Sequence, residues 1–94
     1  MIQSNDPVTI IDVRAPEAFK RGHIKGAINI NVIQKTFVIR VNKLNRQEKF
    51  VLYCQREERS KKASSIMLNK GFRKTYVLDG GILEWEMEDF PIVK

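Results

Sequence analysis

The sequence predicts an α/β domain in which helices cover both faces of a central, mainly parallel sheet. Apolar, β-branched segments alternate with segments of helical periodicity along the chain. The first of them, residues 8–13, is apolar almost throughout, as is typical of a parallel strand that is buried on both faces. A length of 94 residues suits a single domain, residues 1–94, with one hydrophobic core.

Short apolar runs bounded by turn or charged residues predict four strands. The second run is the weakest, because it is short and contains a polar residue. Asp79, Gly80 and Gly81 follow the last run and predict a tight turn. The predicted strands are residues 8–13, 27–30, 50–53 and 75–78.

Four segments between or after these strands have helical character. Pro16 suits the first turn of the first helix, and Gly22 follows its end. Ser60 or a neighbour can cap the third helix, and Gly71 can supply its left-handed end. In the second helix we expect the apolar positions Ile33, Phe37, Val41 and Leu44 to form one buried face. The predicted helices are residues 16–21, 32–44, 60–70 and 82–88.

The composition, 43% hydrophobic and 30% charged, is that of an ordinary globular protein. No apolar run approaches the roughly 20 residues of a membrane helix, and the amino terminus lacks a secretory pattern. We therefore expect a cytoplasmic protein without membrane association. The 17 basic and 11 acidic residues give a net charge of +6. Because the basic residues are scattered and form no nucleic-acid motif, small anions or an acidic partner surface are favoured over nucleic acid.

Cys54 is the only cysteine, which excludes an internal disulfide, and no cysteine and histidine cluster is present to hold zinc. By residue type alone it is either a small buried hydrophobe or a reactive thiol. It follows a predicted strand and precedes a polar loop and a helix, where α/β proteins place their ligand sites. The loop amides and the helix amino terminus favour negative charge and should stabilise a thiolate. This position favours the reactive interpretation.

Charged side chains are dense just after the thiol. Four basic residues outnumber two acidic ones, which gives a local excess of positive charge that should attract an anionic donor. The alternative is an ordinary solvated loop and helix surface. The residues concerned are Arg56, Arg59, Lys61 and Lys62, with Glu57 and Glu58.

Several motifs in a fixed order, spread over residues 8–91, resemble the signatures of rhodanese-like domains. The first group lies between the first two predicted strands, and the others surround the cysteine and the last strand. The motifs are Asp12-Val13-Arg14, Glu17-Ala18-Phe19, Gly22-His23-Ile24-Lys25-Gly26-Ala27-Ile28-Asn29-Ile30, Tyr53-Cys54, Arg59-Ser60, Gly71-Phe72 and Leu78-Asp79-Gly80-Gly81-Ile82-Leu83-Glu84-Trp85.

This resemblance implies a three-layer rhodanese-like fold and a thiosulfate sulfurtransferase-like cysteine that needs no metal, nucleotide or organic cofactor. Its thiolate would take sulfane sulfur from thiosulfate, polysulfide or a protein persulfide and pass it to cyanide, a small thiol or a partner protein. Cys54 would be the nucleophile. The backbone amides of Gln55, Arg56, Glu57, Glu58 and Arg59 would bind the persulfide, and Asp12, Arg14 and Ser60 would support the loop.

The length and composition of the loop after Cys54 indicate which reaction it could support. Four residues separate Cys54 from Arg59, whereas related phosphatases have five, so a sulfur-binding loop is favoured over a phosphate-binding one. Glu57 stands where many rhodanese-like domains have glycine. A left-handed conformation at Glu57 would cost about 1 kcal/mol or more. We therefore expect either another loop path or weak activity towards thiosulfate. A regulatory or protein-interaction domain with little or no activity is the alternative function.

The remaining signature residues favour structural roles. His23 is the sole histidine, and a scaffold role is favoured over that of a general base, because a persulfide site needs none. Trp85 is expected to be a packing anchor. Only seven residues precede the first predicted strand, where related domains commonly carry a further strand and helix. An apolar sheet edge left uncovered there would favour a homodimer or docking to another chain.

Overall fold

In the part of the chain that the structure describes, the central sheet is parallel and has four strands. The computed structural model describes residues 8–33 and 35–94. The expectation of a shortened amino terminus concerns residues 1–7, which lie outside the described residues. The strands are β1 (Val8–Asp12), β3 (Ile28–Asn29), β4 (Lys49–Tyr53) and β5 (Thr75–Val77), in the order β3-β1-β4-β5. A separate antiparallel pair joins β2 (His23–Ile24) to β6 (Ile92–Val93).

Helices cover both faces of the sheet, which confirms the predicted three-layer α/β fold. They are α1 (Pro16–Arg21), α2 (Phe37–Val41), α3 (Glu58–Asn69) and α4 (Gly81–Met87). Side chains along a strand point alternately to its two faces, so each face builds its own core layer. One layer joins β1 and β4 to α2 and α3 through Ile11, Leu52, Phe37, Ala63 and Met67. The other joins them to α1 and α4 through Ile10, Tyr53, Phe19 and Ile82.

The predicted second helix is too long. Within the described part of residues 32–44, only Phe37–Val41 is helical, and Phe37 and Val41 are buried as expected. Ile33 is 62% exposed, so the prediction that it belongs to the buried face is wrong. The Ile33 amide instead donates a 3.0 Å hydrogen bond to Oδ1 of Asn31, a local side-chain contact that favours a turn over a helix.

The direction of the crossovers indicates which part of the sheet should border a ligand site. From β1 the chain crosses to the edge strand β3, and from β4 it crosses to the opposite edge strand β5. The boundary between β1 and β4 is therefore the point where the strand order reverses, and α/β folds bind ligands beyond the carboxyl ends of the strands at such a point. Asp12 pairs with Tyr53 in register there, and Cys54 directly follows β4 at this boundary. None of the helices in the described part of the chain is long and apolar enough to cross a membrane.

Candidate active site

Cys54 directly follows β4 and borders a cavity of about 380 Å³. The residue is only 3% exposed, so its thiol is reached through the cavity and not from the open surface. Three arginines and one glutamate share the lining, which leaves an excess of positive charge around the sulfur. The other lining residues are Arg14, Ala18, Gln55, Arg56, Glu58 and Arg59.

The carbonyl groups of the loop after Cys54 are directed towards α4. The Ile82 amide donates to the carbonyl oxygen of Cys54 at 2.9 Å, and the Leu83 amide donates to that of Gln55 at 3.1 Å. Gly81 permits this contact, because a Cβ atom there would lie 2.2 Å from the carbonyl oxygen of Arg56. The first turn of α4 is therefore the surface against which the loop is shaped.

The loop amides are consequently directed away from α4. In a trans peptide the N–H points opposite to the preceding C=O, so carbonyls that face α4 leave their N–H groups on the other side. Among the described residues, none of the amides of residues 55–60 donates to a backbone carbonyl. The first amides of α3 also have no intrahelical partner, as at any helix start. The stretch thus presents a series of free donors suited to an anion.

Ser60 lies next to the sulfur and does not cap α3, a role that the sequence predicted for Ser60 or a neighbour. Glu57 occupies the N-cap position, and its side chain makes no capping hydrogen bond. Ser60 lies inside the first turn, fully buried, and its Oγ donates to the carbonyl oxygen of Glu57 at 2.9 Å. The Sγ atom of Cys54 is 3.5 Å from this same Oγ. Ser60 therefore supports the loop and contacts the thiol.

Asp12 and Arg14, which were expected to support the loop, form a buried ion pair at this end of the sheet. The Nη2 atom of Arg14 lies 2.7 Å from Oδ2 of Asp12, and its Nε donates to the same carboxylate. Nη2 also donates to the carbonyl oxygen of Gly22 at 2.7 Å. The Nη1 atom reaches the loop through a long 3.4 Å contact with Oε1 of Gln55. Arg14 thus connects the ends of β1, α1 and the cysteine loop.

The charge of Arg14 is maintained in spite of its burial. Burial alone would lower the pKa of the guanidinium, but the hydrogen bond to Asp12 and the negative charge of Asp12 more than offset it and raise the pKa above its ordinary value. Burial also raises the pKa of the neighbouring Tyr53 phenol, whose oxygen accepts a 3.0 Å hydrogen bond from the Ile24 amide. Arg14 therefore lines the cavity as a permanent cation, and its guanidinium carbon lies 5.7 Å from the ring centroid of the neutral Tyr53 phenol.

Glu57 does not add its charge to the cavity. Its φ is −139°, so the loop takes a path that requires no left-handed residue and avoids the cost expected at this position. Its carboxylate accepts a 2.7 Å hydrogen bond from the Gly80 amide and lies 3.1 Å from Nζ of Lys61. These two contacts connect the loop to α4 and pair Lys61 outside the cavity lining.

The Glu57 contacts predict a pH dependence of stability. The hydrogen bond from the Gly80 amide, followed by the contacts with Lys61, lowers the pKa of Glu57 below its ordinary 4.5. A depressed pKa in the folded state means that the stabilisation is present above pH 4.5 and is lost as the pH falls through the folded value. Wild type should melt slightly above Glu57→Gln near neutral pH, by a difference that solvent screening keeps small, and the difference should vanish on acidification. Glu88→Gln, an exposed site outside these contacts, is the control; a difference that grows on acidification would contradict this role.

His23 and Trp85 have the scaffold geometry that the sequence favoured. The His23 ring stacks on Phe19 with centroids 3.7 Å apart, and its Nδ1 lies 2.8 Å from the carbonyl oxygen of Phe19. Trp85 donates from Nε1 to the carbonyl oxygen of Pro91 at 2.8 Å and packs against Phe90. Neither residue lines the cavity beside Cys54.

Sequence reasoning missed two contributions to the cavity. It assigned Arg14 to structural support alone, whereas Arg14 also lines the cavity, and it assigned nothing to Ala18. The position of Arg14 directly after the predicted strand of residues 8–13 was a usable signal, because residues at such strand ends border the ligand crevice. For Ala18 no comparable signal existed, since its small side chain matters only through the placement of α1.

The match to a known family covers almost the whole chain. A family model described as the rhodanese-like domain matches residues 1–88. The chain belongs to the rhodanese-like family. A rhodanese-related protein from Thermoplasma volcanium has the same fold, with a TM-score of 0.83 and 29% sequence identity over 92% of this chain and 83% of that one.

Curated relatives of this rhodanese-like domain carry different names. The uncharacterized protein YqhL of Bacillus subtilis is 38% identical over 81% of this chain and 59% of its own length. A tRNA uridine(34) hydroxylase of Hamiltonella defensa is 31% identical over 98% of this chain but only 28% of its own length. A sulfurtransferase of Allochromatium vinosum is 26% identical over 98% of this chain and 84% of its own length. The chain thus spans only part of the length of the first two relatives. The rhodanese-like family to which it belongs is, in broad terms, a family of sulfurtransferases.

Proposed function

We propose that this rhodanese-like domain is a sulfurtransferase that carries sulfane sulfur as a persulfide on Cys54. The observation that carries the proposal is the position of the thiol, which borders a cavity lined by Arg14, Arg56 and Arg59, next to a loop with free amide donors. A persulfide is an anion whose terminal sulfur needs hydrogen-bond donors and positive potential, and this loop can supply both.

In the first half-reaction the Cys54 thiolate attacks the outer sulfur of a sulfane donor such as thiosulfate. A bond forms between Sγ and this sulfur, and the sulfur–sulfur bond of the donor breaks. Sulfite leaves with the bonding electron pair, so the products are sulfite and a Cys54 persulfide anion. The total charge does not change, and no external oxidant or reductant is consumed. The loop amides would stabilise the negative charge as it moves to the terminal sulfur.

In the second half-reaction a nucleophilic acceptor attacks the terminal sulfur of the persulfide. The bond between this sulfur and Sγ breaks, and Cys54 leaves as the thiolate with which the cycle began. Cyanide would give thiocyanate, and a thiolate would give a new persulfide. The same donors that stabilise the persulfide would stabilise the departing thiolate, so one loop would serve both steps.

Steady-state turnover tests this proposal. Purified, reduced protein should form thiocyanate from thiosulfate or polysulfide with cyanide, at a rate proportional to enzyme concentration, and should not hydrolyse p-nitrophenyl phosphate. Phosphate ester hydrolysis without thiocyanate formation would contradict the proposal in favour of a phosphatase. No turnover with any sulfane donor would favour the regulatory or interaction domain.

Arg56 and Arg59 are expected to bind the anionic donor. Replacing both with alanine should raise the KM for thiosulfate about tenfold at low salt, because two of the cavity's positive charges are lost. The effect should shrink as ionic strength rises. The control Lys62→Ala/Arg73→Ala removes the same net charge from exposed positions outside this cavity. Equal thiosulfate kinetics in both double variants would show that the two arginines have no specific role.

A further inference from the structure

A second cavity, also of about 380 Å³, adjoins the one that contains Cys54. The two share Arg14, Ala18 and Gln55 in their linings, so they form one trough with Cys54 near one end. Arg21, Gly22, Glu86 and Ile92 complete the second cavity. A small molecule whose sulfur reacts at Cys54 can therefore extend past Gln55 into this second space.

The second cavity contains charges of both signs. Arg21 comes from the last turn of α1, and Glu86 comes from α4. Neither forms a salt bridge with the other or with any other residue in the described part of the chain. An inorganic anion would pair only with the arginine, whereas a ligand that carries one charge of each sign would pair with both.

Arg14 provides a third polar group at the junction of the two cavities. The residue is 7% exposed, and its Nε and Nη2 atoms are held by Asp12 and the Gly22 carbonyl. Its Nη1 atom makes only the 3.4 Å contact with Gln55, a residue that lines both cavities. A guanidinium nitrogen of this kind has two N–H donors, so Nη1 retains capacity for a carboxylate oxygen.

We infer that the second cavity binds the α-amino-acid head group of a small thiol acceptor. Arg21 and Nη1 of Arg14 bind the carboxylate, and Glu86 binds the ammonium group. The acceptor thiolate then attacks the terminal sulfur of the Cys54 persulfide, the bond to Sγ breaks, and an amino-acid persulfide leaves together with the Cys54 thiolate. The inference rests on the proposed function and specifies its acceptor as a zwitterionic thiol.

Four acceptors that differ by one charge at a time test this assignment. Cysteine has both charged groups, 3-mercaptopropionate lacks the ammonium group, cysteamine lacks the carboxylate, and 2-mercaptoethanol lacks both. Each variant is compared with wild type for the same acceptor, so differences in intrinsic thiol reactivity cancel. γ-Glutamylcysteine, whose α-amino-acid head lies farther from the sulfur, distinguishes a free amino acid from a γ-glutamyl peptide.

The charge variants should show a crossed pattern. Arg21→Gln should lower kcat/KM for cysteine and 3-mercaptopropionate roughly fivefold to tenfold relative to its effect on the other two acceptors. Glu86→Gln should lower kcat/KM for cysteine and cysteamine by a similar factor. Lys20→Gln and Glu88→Gln, neighbouring residues that do not line the second cavity, are the matched controls. Losses that are equal for all four acceptors, or absent, would overturn the inference.

A binding measurement separates this inference from the proposed function. S-methylcysteine has the same head group but no thiol, and it should shift the amide resonances of Arg21, Gly22 and Glu86 in the unloaded protein. Arg21→Gln and Glu86→Gln should weaken that binding several-fold. Resonance shifts in a protein that forms no persulfide on Cys54 would support the binding site and contradict the sulfurtransferase function. A persulfide on Cys54 without resonance shifts would support the sulfurtransferase function and contradict the binding site.

Discussion

Replacing Gly81 with alanine should destabilise the domain and sharply reduce the proposed sulfurtransferase activity. Its φ is +62°, and an added Cβ atom would lie 2.2, 2.5 and 2.7 Å from the carbonyl oxygens of Arg56, Cys54 and Gln55. The left-handed conformation and the forced displacement together should cost about 2–5 kcal/mol. Thermal melting should therefore occur about 10 °C or more below wild type. Activity should fall further than stability alone explains, because the displaced carbonyls belong to the peptides whose amides face the other side of the loop.

Gly26→Ala is the matched control for this variant. Gly26 also has a positive φ, +87°, but a Cβ atom there would meet nothing within 4 Å. The Gly26→Ala variant should lose about 1–2 kcal/mol of stability, which is the conformational cost alone. Below its melting transition it should keep its turnover. If Gly81→Ala matched Gly26→Ala in both stability and turnover, the close approach of α4 would not shape the loop.

Replacing Cys54 with serine should abolish sulfur transfer while the fold is retained. A serine hydroxyl is almost entirely protonated at neutral pH and cannot form a stable persulfide, so the loss in kcat should be at least about 1,000-fold. The two side chains are nearly isosteric, and the contact 3.5 Å from Oγ of Ser60 can be kept as a hydrogen bond. Turnover of thiosulfate with cyanide is the measurement, and circular dichroism and melting temperature verify folding.

The variants of Cys54 also distinguish catalysis from background chemistry. Cyanide reacts slowly with polysulfides without any enzyme, so Cys54→Ser defines the rate that the protein does not catalyse. Cys54→Ala should match Cys54→Ser, because both lack the thiol. A serine variant that retained a substantial fraction of the wild-type kcat would show that sulfur travels by another route and that Cys54 is only a buried side chain.

Much of the fold was predictable because its signals are local. A short window of sequence is enough to predict the apolar strand β1, the change from apolar to polar residues after Cys54 and the long helix α3. The position of Cys54 after a predicted parallel strand then indicated where the candidate site should lie, since the carboxyl ends of such strands meet at one edge. The supporting role of Asp12 and Arg14 could be predicted in the same way, because both residues lie at or just after the end of β1.

The features that escaped prediction depend on contacts between distant residues. The strands β2 and β6 have two residues each, too few to show a period, and they pair across some seventy positions of sequence. The hydrogen bond from Gly80 to Glu57 joins residues 23 positions apart, and nothing near Glu57 indicates it. Ile33 was mispredicted for a different, local reason. Apolar residues at helical spacing need not form a helix when an asparagine side chain stabilises a turn.

Isolation of the loaded protein tests the central claim most directly. Reduced wild type is incubated with a sulfane donor, separated from it by gel filtration, and examined by intact-mass and peptide mass spectrometry before and after addition of cyanide. We predict one added sulfur atom on the peptide that contains Cys54, and its loss on addition of cyanide with formation of one equivalent of thiocyanate. An unmodified Cys54 with thiosulfate and polysulfide alike, or a Cys54 persulfide that yields no thiocyanate, would contradict the account.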